Sequence, residues 1–134
     1  MPLKGLYTPS EIRRVQEIAI YLEQHYKEKI TIQHLAEEAG IDSKLLQQIF
    51  SFINGVPIHQ FQLHYRLEKI KEGLQNFEWS IEGIAKQHGI RSSKYFYRFF
   101  KKQTGMTAQE YRRQLLQNSN SLLYIHENGH KKVS

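Results

Sequence analysis

With 134 residues, no cysteine and a formal net charge of +6, the chain is long enough to bury roughly two-thirds of its unfolded surface and excludes disulfides, thiolate nucleophiles and cysteine-based zinc sites. Hydrophobic residues make up 40% and charged residues 24%, with only three prolines, a composition of folded rather than disordered chains. No stretch approaches the roughly 20 apolar residues of a membrane span, and Met1 to Gly5 lacks an apolar signal core, so the cytoplasm is the expected location.

Residues 1–7 read as an N-terminal extension. Thr8-Pro9-Ser10-Glu11 then opens a first helix with a capping box: a threonine oxygen for the orphan amides, proline in the first turn and glutamate three residues after the cap. Ile12, Val15, Ile18 and Leu22 follow at helical spacing to about Tyr26, a helix expected to roof the unit behind it. Thr31 caps a second helix through Ala39, with Ile32, Leu35 and Ala36 inward and Gly40 suited to the left-handed residue that ends it. Asp42 caps a third whose inner face is Leu46, Ile49, Phe50 and Ile53, closing at Asn54-Gly55.

From Pro57 to about Asn76, the pattern Leu63, Leu67, Ile70, Leu74 predicts one linker helix, about 30 Å long at 1.5 Å per residue. That length is close to the ~34 Å repeat of duplex DNA, so the linker reads as a spacer between two groove-reading helices. Ser80 caps the next helix, with Ile81, Ile84 and Ala85 inward and Gly89 at the turn. A further helix is expected from about Ser92 to Thr104, and Thr107-Ala108-Gln109-Glu110 opens a closing helix over 107–117 with a second capping box. Residues 118–134 read as a C-terminal tail.

The same module occurs twice. Ile32, Leu35, Ala36, Gly40 and Ile41 recur 49 positions later as Ile81, Ile84, Ala85, Gly89 and Ile90. Leu46, Ile49, Phe50, Gly55 and Phe61 recur at an offset of 50 as Phe96, Phe99, Phe100, Gly105 and Tyr111. Each copy is a helix, a glycine-marked turn and a second helix, the form of a helix-turn-helix. The expected fold is all-α: about seven helices in two homeodomain-like, three-helix lobes, with the domain at 8–117 and the helix-turn-helix units at 31–54 and 80–104. Charge is uneven, −1 over residues 1–57 and +7 over 58–134, so a polyanion is drawn mainly to the second half.

In such a motif the exposed residues near the start of the second helix decide what is read. In the second lobe these are Ser92, Ser93, Lys94, Tyr97 and Arg98, with Lys101 and Lys102 one turn on. Arg98 can pair with guanine through two hydrogen bonds, the serines can meet bases or phosphates, and the lysines suit phosphates. Between Arg91 and Gly105 there are five basic residues and no acid. Tyr95, Phe96, Phe99 and Phe100 have the spacing of a core stripe. The first lobe offers Ser43, Lys44, Gln47, Gln48 and Ser51; glutamine can read adenine, but one base and one acid, Lys44 and Asp42, give weak phosphate attraction.

His126-Glu127-Asn128-Gly129-His130 has the spacing of a zinc-hydrolase motif, which needs a buried helix that the internal Asn-Gly opposes. His25, His34, His59, His64 and His88 show no metal-ligand spacing, and no nucleophile elbow, phosphate loop or dinucleotide fingerprint is present. No catalytic residue, metal or cofactor is therefore expected.

The duplicated units, the joining helix and the closing run Phe99-Phe100-Lys101-Lys102-Gln103-Thr104-Gly105-Met106-Thr107, followed by Tyr111-Arg112, resemble the AraC/XylS family of bacterial transcription regulators over about residues 14–114. The resemblance implies seven helices and two reading helices in adjacent major grooves of an asymmetric site, with contacts from Lys44, Gln47 and Gln48 and from Ser93, Lys94, Tyr97 and Arg98. It further implies a nucleoid-associated activator, with double-stranded DNA as partner and RNA polymerase as a second one. The domain would be monomeric, and any oligomerisation would use a region outside this sequence. Three features depart from the family pattern, the first being Phe50-Ser51-Phe52 in place of a basic Phe-Lys-like end to the first reading helix. Gln48 stands where an arginine is frequent, and Arg91 takes a position usually held by a small capping residue, which moves the cap to Ser92. A degenerate regulator acting mainly through protein contacts, with polymerase or another regulator, is the alternative.

Overall fold

The computed structural model describes residues 6–118, and among these the secondary structure is seven helices with no strand. They are α1 (Pro9–Gln24), α2 (Ile32–Ala39), α3 (Ser43–Asn54), α4 (Ile58–Gly73), α5 (Ile81–Gln87), α6 (Ser93–Thr104) and α7 (108–118). The described residues divide into two compact units, with the boundary between residues 68 and 69.

In the first unit α1 starts with the reciprocal capping box, Thr8 Oγ1 accepting from the Glu11 amide at 3.0 Å and Glu11 Oε1 accepting from the Thr8 amide at 2.9 Å. It buries Val15, Ile18 and Leu22 against α2 and α3, which contribute Leu35, Ala36, Leu46, Ile49 and Phe50. Gly40 (φ 69°) ends α2 in the left-handed conformation, its amide donating to Ala36 O at 2.8 Å. Asp42 then accepts from the Leu45 amide and starts α3. The start of α4 completes this core with Ile58 and with Phe61, whose ring meets Phe50 edge-on at 5.2 Å.

The second unit repeats the device. The Ile90 amide donates to Ala85 O at 2.9 Å, as the Ile41 amide donates to Ala36 O at 3.2 Å, and Gly89 (φ 92°) occupies the position of Gly40. Ile84, Ala85, Ile90, Phe96, Phe99 and Phe100 are buried, and Phe100 packs on Tyr111 of α7 at 5.5 Å. Tyr95, which the spacing groups with the phenylalanines, is instead 45% exposed. At 3.6 residues per turn it lies about 100° around the helix from Phe96, so it covers Phe99 from outside, stacked at 5.8 Å.

The joining helix is shorter than its apolar pattern implies: α4 has 16 residues, about 24 Å at 1.5 Å per residue. Its end is closed by tightened bonds, Gln75 amide to Glu72 O and Asn76 amide to Gly73 O, and by Arg112, which donates to Leu74 O at 3.2 Å and Asn76 O at 2.7 Å. Burial lowers the Arg112 pKa without removing its charge.

Gly73 is where α4 and α5 approach closely: a Cβ there would lie 2.9 Å from Ile84 Cγ2 and 3.1 Å from His88 Nε2. Alanine gains about 1 kcal/mol of helix propensity over glycine, whereas overpacking costs about 1–3 kcal/mol, so the clash should win. Gly73→Ala is expected to lower the urea midpoint of the second unit at unchanged slope, and an increase would contradict this packing.

Candidate nucleic-acid interface

The second helix of each helix-turn-helix, α3 or α6, is divided lengthwise. In α6 the stripe Phe96, Phe99, Phe100 is buried, while Ser93, Lys94, Arg98, Lys101 and Lys102 are exposed. This division follows from the 3.6-residue period: anchoring the phenylalanines inward forces Lys94, Arg98 and Lys101 outward, spaced by four and three residues. Ser92 is the N-cap and Arg91 is not, its Oγ accepting from the Tyr95 amide at 3.1 Å. That bond leaves the Ser92 hydroxyl proton available for donation. Lys101 and Lys102 also lie in the last turn of α6, where cations favour the negative end of the helix dipole.

Tyr97 differs from the other candidates. It is half-buried, and its hydroxyl donates to Glu82 Oε2 in the first turn of α5. Burial and the neighbouring carboxylate together hold the Tyr97 phenol up at about 12. The same hydrogen bond is the leading cause of the lowered Glu82 pKa. Glu82 is the residue that sequence reading misses here. It lies 15 positions from Tyr97, outside any helical spacing, and only the packing of α5 on α6 brings the two together.

In the first unit α3 buries Leu46, Ile49 and Phe50 and exposes Lys44, Gln47 and Gln48, with Ser43 and Ser51 half-buried. Gln47 Nε2 donates to Ser43 O at 3.2 Å, so one of its two amide protons is engaged within the helix. Five basic side chains flank or line α6, against the single Lys44 on α3.

Among the described residues no group of three or more His, Cys, Asp or Glu is placed to hold a metal, and no helix is long and apolar enough to cross a membrane. The motif His126 to His130 lies outside the described residues.

Two helix-turn-helix units, each with a half-buried, half-polar second helix, define the class of a tandem helix-turn-helix domain. Residues 35–114 match the helix-turn-helix domain family, and the chain belongs to that family in its AraC/XylS type. It is 28% identical over 99 residues to the uncharacterized HTH-type transcriptional regulator YijO of Escherichia coli (strain K12), covering 74% of this chain and 35% of that protein. The C-terminal domain of AraT, a response regulator from Geobacillus stearothermophilus, superposes with a TM-score of 0.71 at 26% identity, over 80% of this chain and 86% of that one. The xylose-binding transcription activator xylR gives 0.66 at 29% identity, over 81% of this chain and 28% of that one. The chain spans about a third or less of the curated relatives it matches.

The Tyr97–Glu82 bond carries a pH signature. A phenol raised above its ordinary value of 10 stabilises the fold fully below about 10 and loses that contribution as pH rises through about 12. The depressed Glu82 acts in the opposite sense, stabilising above the ordinary carboxylate range and losing its effect as pH falls through its lowered value. Native-state tyrosine titration by NMR should show one phenol ionising near 12 that vanishes in Tyr97→Phe. A Tyr97→Phe titration that retains this highest phenol would contradict the assignment.

Proposed function

We propose that this chain is the DNA-contacting part of a sequence-specific transcription regulator, an activator, that inserts α3 and α6 into adjacent major grooves of an asymmetric site. The carrying observation is α6 itself: a helix anchored by buried phenylalanines whose outward stripe is serine, lysine and arginine with no acid. Arg98 supplies the forked donor that fits guanine, Ser92 and Ser93 supply short polar contacts, and Lys94, Lys101 and Lys102 neutralise phosphates. On α3, Gln48 and the free proton of the Gln47 amide suit adenine, Lys44 a phosphate, and Ser43 and Ser51 secondary polar contacts.

Activation is supported by the xylR neighbour, described as a transcription activator. The cytoplasm, bound to nucleoid DNA, is the compartment that fits this reading. The weaker charge of α3 favours one second reading, a regulator that works partly through protein contacts with RNA polymerase or another regulator.

Both readings are separated by selecting bound duplexes from a random pool and measuring affinity against salt. A true binder loses affinity with a log–log slope of about −0.9 per phosphate neutralised. The recovered sites should hold two blocks about 10 base pairs apart. Arg98→Ala should weaken binding roughly 5- to 150-fold, the ~1–3 kcal/mol of a forked arginine–guanine contact, and more than Gln48→Ala does. The reverse ranking would overturn the roles assigned to the two helices, and salt-independent binding would favour the protein-contact reading.

A further inference from the structure

Tyr97 lies on α6 one turn beyond Ser93, among the outward residues, yet its hydroxyl is committed to Glu82 on α5. A phenol has one proton to donate. With that proton held by a carboxylate, Tyr97 cannot give it to a base, and what it retains for a ligand is the carbon surface of its ring and an accepting lone pair on its oxygen. That ring helps to line an open, largely apolar hollow of about 530 Å³, together with Arg98, Lys101, Lys102 and Thr107. The hollow thus combines an aromatic wall with three cationic side chains.

Resting on the DNA reading of α6, we propose that Tyr97 reads the C5-methyl group of a thymine through its ring, and that Glu82 is the positioning residue that fixes the ring for this contact. Thymine is the one base that presents a methyl group in the major groove. An apolar wall bordered by lysines and an arginine matches a methyl group that sits between phosphates. An untethered tyrosine samples several staggered side-chain rotamers, whereas the Glu82 bond selects one. Glu82 also places an acid beside a basic surface, which by itself weakens attraction to phosphates. Its value to binding therefore lies in holding Tyr97, separable from its charge.

The test uses the full chain and a duplex selected from a random pool, in which each thymine is replaced singly by deoxyuridine. At one position facing α6, loss of the methyl group should weaken binding about fourfold, the effect of uncovering one buried methyl-sized group. Tyr97→Ala should bind the thymine and deoxyuridine duplexes alike. Glu82→Gln and Glu82→Ala remove the same charge, but only the glutamine oxygen can still accept from the tyrosine. Glu82→Gln should therefore keep the discrimination and Glu82→Ala lose it. The inference is overturned if no thymine is methyl-sensitive, if Tyr97→Ala still discriminates, or if the two Glu82 variants behave alike. Failure of the chain to select any sequence would remove the DNA reading as well. Selection that depends on Arg98 but not on any methyl group would remove this inference alone.

Discussion

The constraint on which the rest depends is that one 12-residue helix, α6, must be seated and presented by the same side chains' periodicity. Phe96 and Phe100 are fully buried, and Phe96 to Phe100 is one helical turn plus a fraction, with ring centroids 5.7 Å apart. Once those rings are fixed in the core, the helix has no rotational freedom left, and Lys94, Arg98 and Lys101 are aimed outward without any contact of their own being needed. Burial thus does the orienting and leaves the charge facing outward. Neither set of residues could serve the other purpose, because a buried unpaired cation is far more costly than the apolar ring it would replace.

Caps and turns translate that seating into a fixed angle between paired helices. Gly40 and Gly89 allow the chain to reverse in a left-handed residue, and the amide that follows each returns to the alanine of the preceding helix, Ala36 or Ala85. Asp42 and Ser92 then start α3 and α6 at defined residues. On the far side of α6, the Thr107–Glu110 capping box starts α7, and the bond from the Thr107 amide is the leading cause of the lowered Glu110 pKa.

Much of this was legible from residues alone because it is local or periodic. Capping boxes, glycine turns and the i, i+3, i+4 stripes need only a few adjacent positions, and the tandem repeat doubled each signal. The all-α class, the two helix-turn-helix units and the Ser92 cap were read in this way. What escaped depends on contacts between elements. Tyr95 shares the aromatic character of its neighbours, but its place around the helix puts it outside, covering Phe99. The apolar pattern of α4 runs on past Gly73, yet the helix ends there in tightened bonds from the Gln75 and Asn76 amides, and Arg112, 38 residues from Leu74, takes up the carbonyls of Leu74 and Asn76 beyond it. The Glu82–Tyr97 bond has no sequence period at all.

These features divide α3 and α6 by kind. The chemistry of α6 suits strong attraction to phosphate with a forked contact to guanine, and that of α3 suits amide readout with little charge. The most direct measurement of the central claim is amide NMR of the chain titrated with a selected duplex. The largest shifts are expected at Lys94, Tyr97 and Arg98, smaller ones at Lys44 and Gln48, and little change along the solvent face of α1. Perturbations concentrated on α1 or on the exposed loop at Phe77 and Trp79, with α6 unmoved, would contradict it.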